Sequence, residues 1–181
     1  MKEDYFKSRI EKYDLKDYAG LLIYYTKAIE LDPNNPSAYH NRGLAKYKLK
    51  DYKGAINDYD KAIELDPNNA KAYNNRGFTK HSLLDYTGAI ADYNKAIKLN
   101  PNYSEAYNNR GASKFNLLDY RGAIIDYNKA IQLNPDDAIT YNKRGNAKHL
   151  LNDKEGACLD WSKAGELGSS EAYDEIKKHC N

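Results

Sequence analysis

The chain has few cysteines, no marked excess of either charge and no long apolar run. Its two cysteines, Cys158 and Cys180, stand near the C-terminus, too few for a disulfide framework and at no metal-ligand spacing. Two reduced thiols are expected, with a disulfide conceivable in an oxidising compartment. The histidines, His40, His81, His149 and His179, are not spaced as ligands on one helix and have no cysteine or carboxylate cluster beside them, so no metal is expected. A glycine-rich phosphate loop, a nucleophile elbow and a paired-carboxylate motif are all missing, which leaves no basis for an enzyme or a cofactor. Lys and Arg total 28 against 26 for Asp and Glu, and a net charge of +2 gives no reason to expect a general polyanion binder. No stretch has the length of a signal core or a membrane span, and the start carries Lys2, Glu3, Asp4, Lys7, Arg9, Glu11 and Lys12. A soluble, cytoplasmic protein without a membrane role is expected, unless a leader has been removed.

What the chain has is repetition. Residues 66–99 match 32–65 and 100–133 at roughly two-thirds of positions, and a looser copy fills 134–167. Residues 1–31 are a degenerate first copy, and 169–181 a terminal helix. A fixed period of this size marks a solenoid, in which each unit buries its apolar face against its neighbours. Each unit carries two amphipathic helical patterns, in one case about Ala70 to Leu83 and Tyr86 to Leu99, with Asn69 and Asp85 as N-caps. Asp17, Asp51, Asp119 and Asp153 recur in the place of Asp85, where a carboxylate favours the helix N-terminus. Pro67, Pro101 and Pro135 stop the second helices. Connections this short make antiparallel helix pairs.

Small residues recur where paired helices would touch: Gly43 with Ala55, Gly77 with Ala89, Gly111 with Ala123 and Gly145 with Ala157. Ala62, Ala96, Ala130 and Ala164 face the next unit. The columns Tyr39, Tyr73, Tyr107, Tyr141 and Tyr59, Tyr93, Tyr127, Trp161 hold most of the aromatic area and read as core. These Tyr, Gly, Ala, Tyr or Trp, Ala and Pro columns resemble those of the tetratricopeptide repeat family over nearly the whole chain. The resemblance implies an all-α, right-handed superhelical α-solenoid of antiparallel helix pairs. Its first helices would line a concave groove that holds peptides or partner helices. The ends depart from the pattern. Arg9 and Leu21 replace the glycine and alanine of the first unit, which reads as an N-terminal cap. Gly168-Ser169-Ser170 replaces the Asp-Pro turn, and Glu171 to Cys180 forms a capping helix with Ala172, Tyr173, Ile176 and Cys180 on one stripe.

Arg42, Arg76, Arg110 and Arg144 sit on the packed half of the first helices, where a charge needs a partner. Asp58, Asp92, Asp126 and Asp160 on the second helices are the expected partners. The first unit has Ser8 and Tyr24 in their places, so both charges vanish together. Lys46, Lys80, Lys114 and Lys148 would snorkel over the tyrosines or join this network.

At 100° per residue, the opposite arc carries a ring row, Tyr13, Tyr47, His81, Phe115 and His149, beside Ile10, Leu44, Phe78, Ala112 and Asn146. Two amide rows accompany it: Asn74, Asn108 and Asn142, preceded by His40, and Asn41, Asn75 and Asn109, with Lys71 nearby. Amides suit the backbone of an extended peptide, and rings accept its side chains. Co-chaperones of the family grip the acidic tails of heat-shock proteins with Lys, Asn, Asn, Lys and Arg from three successive first helices. The matching residues here are Phe6, Ile10, Asn41, Lys71 and Asn75, or His40, Leu44, Asn75, Glu105 and Asn109, so those tails are not expected as ligands. The expected function is a non-catalytic, monomeric protein–protein interaction scaffold that binds a peptide or partner helix. The alternative is an RNA-binding helical-repeat protein, which near-neutral charge and packed arginines disfavour.

Overall fold

A computed structural model describes residues 17–180. The first-unit positions named above, Phe6, Ser8, Arg9, Ile10 and Tyr13, lie outside the described residues. Among these there are ten α-helices and no strand: α1 (Tyr18–Leu31), α2 (Pro36–Lys48), α3 (Tyr52–Leu65), α4 (Ala70–Ser82), α5 (Tyr86–Leu99), α6 (Ser104–Asn116), α7 (Tyr120–Leu133), α8 (Ala138–Leu150), α9 (Lys154–Glu166) and α10 (Ser170–His179).

Local chemistry sets these bounds. Asp51, Asp85, Asp119 and Asp153 each accept the backbone N–H three residues on, at 2.9 Å, which satisfies an orphan donor of the second helix. Asn35 and Asn69 cap first helices in the same way. Two residues beyond the end of α2, α4, α6 and α8 stands a residue with positive φ: Lys50 at 65°, Leu84 at 65°, Leu118 at 64° and Asn152 at 63°. The next N–H then returns to a carbonyl five residues back, as from Asp119 to Lys114 at 2.9 Å. The Asp that caps one helix therefore also closes the one before it.

The chain forms two compact units, one up to Gly88 and one from Ala89 on. In the first, α1 packs on α2, α2 on α3 and α3 on α4; in the second, α6 through α10 pack each on the next. This is the all-α helix-pair repeat that the sequence pattern implies. The first unit buries Leu21, Tyr24, Tyr25, Ala38, Ala45, Ala55, Tyr59 and Ala62, and the second Ala123, Tyr127, Ala147, Ala157, Trp161, Ala164 and Ala172. Gly111 is what lets α6 approach α7. A Cβ there would stand 2.7 Å from the Tyr127 ring and 3.2 Å from the Ala123 carbonyl oxygen.

The expectation of two reduced thiols is corrected. Cys158 and Cys180 form a disulfide, with their Cα atoms 5.8 Å apart. Docking of α10 on α9 buries Ala172 and leaves Cys180 as the C-cap, opposite the outward face of α9 that carries Cys158. No helix among the described residues is long and apolar enough to cross a membrane.

Candidate functional site

The cations of the first helices are held by buried carboxylates. Arg42 donates from Nε and Nη2 to Asp58 at 2.9 and 2.7 Å, and Lys46 Nζ lies 2.8 Å from the same carboxylate. Arg110 and Lys114 hold Asp126 in the same way, and Arg144 and Lys148 hold Asp160. Arg110 also donates from Nη1 to Asn94, and Arg144 to Asn128, both at 2.7 Å, so one guanidinium joins second helices on both of its sides. Arg76 Nη1 reaches Asp60 at 2.6 Å, and Asp92 is buried. Each arginine also lies about a ring radius beyond contact over the tyrosine three residues before it, at 5.4 Å for Tyr107 and Tyr141. The bond to Asp58 raises the pKa of Arg42 against the opposing effect of burial. Guanidinium groups tied this closely have little left for a ligand.

The residues of the opposite arc divide into packed and accessible ones. Asn74, Asn108 and Asn142 are buried, which differs from a role as open groove amides. Asn108 Nδ2 donates to Thr140 Oγ1 and Asn142 Nδ2 to Glu171 Oε2, so these two amides tie α6 to α8 and α8 to α10. The rings are half-buried. Tyr47, His81 and Phe115 each lean on the tyrosine that opens their own second helix, Tyr52, Tyr86 and Tyr120, with centroids 5.0 to 5.3 Å apart. His149 meets Trp161 instead, at 5.6 Å. Asn41, Leu44, Asn75 and Asn109 are half-buried, while Lys71 and Phe78 are exposed. His40 Nε2 lies 3.3 Å from Asn75 Nδ2, its Nδ1 is buried without a partner, and burial followed by the Lys71 charge lowers its pKa.

Lys143 stands where the other units have Asn41, Asn75 and Asn109. That break in the column is its signal in the sequence. Its ammonium donates to Asn108 Oδ1 at 2.6 Å. Burial lowers its pKa, opposed by Asp137. It lines a cavity of about 530 Å³ between the N-terminal halves of α6 and α8, with Tyr103, Glu105, Asn108, Asp137 and Ile139 among the walls. Ile139 is 63% exposed, an apolar side chain open to this space. The site therefore offers one cation, a fixed amide, carboxylates and apolar surface within one concavity. Among the described residues no cluster of three or more His, Cys, Asp or Glu is placed to hold a metal ion.

Comparison with known proteins gives the same architecture. A family model described as TPR repeat matches residues 13–50 and 45–83, and one described as tetratricopeptide repeat matches 70–103 and 104–137. No curated protein matches the chain. Among solved structures, one of MamA is 26% identical, with 90% of this chain and 95% of that chain covered and a TM-score of 0.80. YrrB, described as a TPR protein with an unusual peptide-binding site, is 22% identical over 96% of this chain and 90% of its own, with a TM-score of 0.77. PilF of Pseudomonas aeruginosa is 19% identical over 93% and 77%, with a TM-score of 0.85.

Proposed function

Since the chain belongs to the tetratricopeptide repeat family, we propose that it is a non-catalytic scaffold that holds an extended peptide or a partner helix against the faces of its first helices. The observation that carries this reading is the cavity between α6 and α8, where Lys143, Asn108 and Ile139 converge. A lysine there lowers stability, because burial works against its charge. A binding role accounts for its presence where three other units have asparagine. The first unit, taken by itself, has a surface of the same kind, with the half-buried rings Tyr47 and His81 and the exposed Phe78. Apolar walls with a few fixed polar groups are the usual make-up of a recognition site. The peptide-binding description of YrrB supports the class of ligand and not the residues.

The nucleic-acid alternative is disfavoured, because Arg42, Arg110 and Arg144 are each engaged with a buried aspartate. A titration against single-stranded RNA at rising salt should show no steep loss of affinity of the kind that phosphate contacts impose. The direct test is an array of short random peptides probed with wild type, with Lys143→Ala and with Asn75→Ala/Phe78→Ala. Peptides retained by wild type should be lost by one or both variants while their circular dichroism stays unchanged. Equal retention by all three would remove the first-helix faces as the site. Light scattering is expected to give a monomer.

A further inference from the structure

The Cys158–Cys180 disulfide fastens α10 to α9 across a separation of 22 residues, and α10 lies over part of the first-helix face. Glu171, in its first turn, accepts from Asn142 Nδ2 at 3.3 Å. At its other end, the His179 ring is 4.3 Å from His149 and 5.7 Å from Trp161, centroid to centroid. An amide and a ring from the rows described above are thus covered by one short helix. Besides the disulfide, that helix is held by Ala172 and the half-buried Ile176, packed on the cluster of Ala157, Trp161 and Ala164. It has 10 residues, of which only Ala172 is buried, and isolated helices under about 12 residues are marginal in water. Tyr173 adds a bond from its hydroxyl to the Gly165 carbonyl at 3.3 Å but is 61% exposed. The sulfurs are within reach of a reductant. A cavity of about 440 Å³, lined by Lys154, Glu155, Cys158, Leu159, Ser162 and Cys180, opens onto the bond.

We infer that this disulfide is a redox latch: its reduction by a dithiol lets α10 leave α9 and uncovers Asn142 and His149, and its reoxidation closes them again. One thiolate of the dithiol attacks a sulfur of the pair to form a mixed disulfide and expels the other as a thiolate. The second thiol of the reductant then closes its own disulfide. Two electrons and two protons pass to the protein, which is left with two cysteine thiols. The Lys154 ammonium on the wall of the cavity favours the departing thiolate. A reducing cytosol holds the latch open, and an oxidising compartment holds it shut. What the opened face receives rests on the peptide-scaffold reading, whereas the latch itself does not.

Trp161 is the sole tryptophan, is 1% exposed and packs against His179, so it reports on the latch without a ligand. Dithiothreitol is added to the intact oxidised protein, and thiol titration follows the reduction. Acrylamide quenching of Trp161 is expected to rise, and His149 to gain reactivity toward diethyl pyrocarbonate. Removal of a loop closure of this length should speed hydrogen exchange of the α10 amides roughly 100-fold. Cys180→Ser should match the reduced protein without dithiothreitol. The inference is overturned if both thiols titrate while exchange, quenching and His149 reactivity stay as in the oxidised protein. Peptide-array binding is read separately. If α10 is released and oxidised and reduced protein retain the same peptides equally, the latch stands and the peptide reading of that end fails.

Discussion

At Asp126, two cations share one buried carboxylate. The aspartate is 1% exposed and receives the Arg110 fork and the Lys114 ammonium. Asp126→Asn keeps the shape and removes the charge that both cations face. Breaking a buried ion pair by removing one partner costs roughly 3 to 5 kcal/mol, and because the cations retain some exposure we expect the lower end. The check is urea denaturation, in which the midpoint should fall with an unchanged slope. His40 gives a second expectation at this scale. Burial, and then the Lys71 charge, hold its folded pKa below the ordinary histidine value of 6.5, so below about that pH the unfolded chain binds a proton that the folded one does not. Stability therefore falls as pH drops through the unfolded value and levels off below the folded one. Urea midpoints should decline from about pH 7.5 to about 5.5, and His40→Gln should flatten that decline. A variant with the wild-type slope would show that other histidines cause it.

Residue roles differed in how far the sequence disclosed them. The arginine and aspartate columns could be read because both disappear from the first unit, where Ser8 and Tyr24 stand instead. Burial of Asn74, Asn108 and Asn142 could not. A helical wheel puts them 100° round from Tyr73, Tyr107 and Tyr141, on the arc away from the packed half, but it contains no information about how consecutive first helices tilt. In the folded chain α6 and α8 touch along the flank of that arc, and Asn108 lies in the seam between them. Lys143 was visible only as a break in a column of asparagines.

On the scale of an element, the turn between the helices of a unit carries the clearest misfit between residue and backbone. Leu118 has φ of 64° and is 71% exposed, so it bears the cost of the left-handed region and gains little from burial. That region costs a side chain about 1 to 2 kcal/mol, while glycine adds about 0.5 to 1 kcal/mol of unfolded-state entropy. Leu118→Gly should therefore raise the thermal midpoint slightly, by a few tenths to about 1 kcal/mol of stability, as calorimetry can show. The reverse holds one turn into the pair. Gly111→Ala forces a methyl to within 2.7 Å of the Tyr127 ring, with the Ala123 carbonyl behind it. Overpacking of this kind costs typically 1 to 3 kcal/mol. Glycine and alanine columns could be read from sequence because close approach at Gly43, Gly111 and Gly145 admits nothing larger. The disulfide could not, since Gly168-Ser169-Ser170 sets the direction in which α10 leaves α9, and no other unit shows that turn.

Over the whole molecule the same rule holds inside each compact unit, where each helix packs chiefly on the one before and the one after, so stability there is a sum of local terms coupled through neighbours. A lesion in one repeat should loosen that repeat first. Gly145 offers a test within the second unit, because a Cβ there would stand 2.8 Å from Trp161 and 3.2 Å from the Ala157 carbonyl oxygen. Gly145→Leu drives α8 from α9 and should raise hydrogen exchange in α8, α9 and α10 well before global unfolding. Exchange in α2 and α3, whose own Gly43 and Tyr59 contact is untouched, should stay at wild-type rates. A compact single-core protein would instead lose protection everywhere together. Uniform loss would mean that the units fold as one cooperative body, and a peptide bound at one end would then stabilise every helix equally. Graded loss lets the last repeats respond to ligand or to their disulfide while the first ones stay folded.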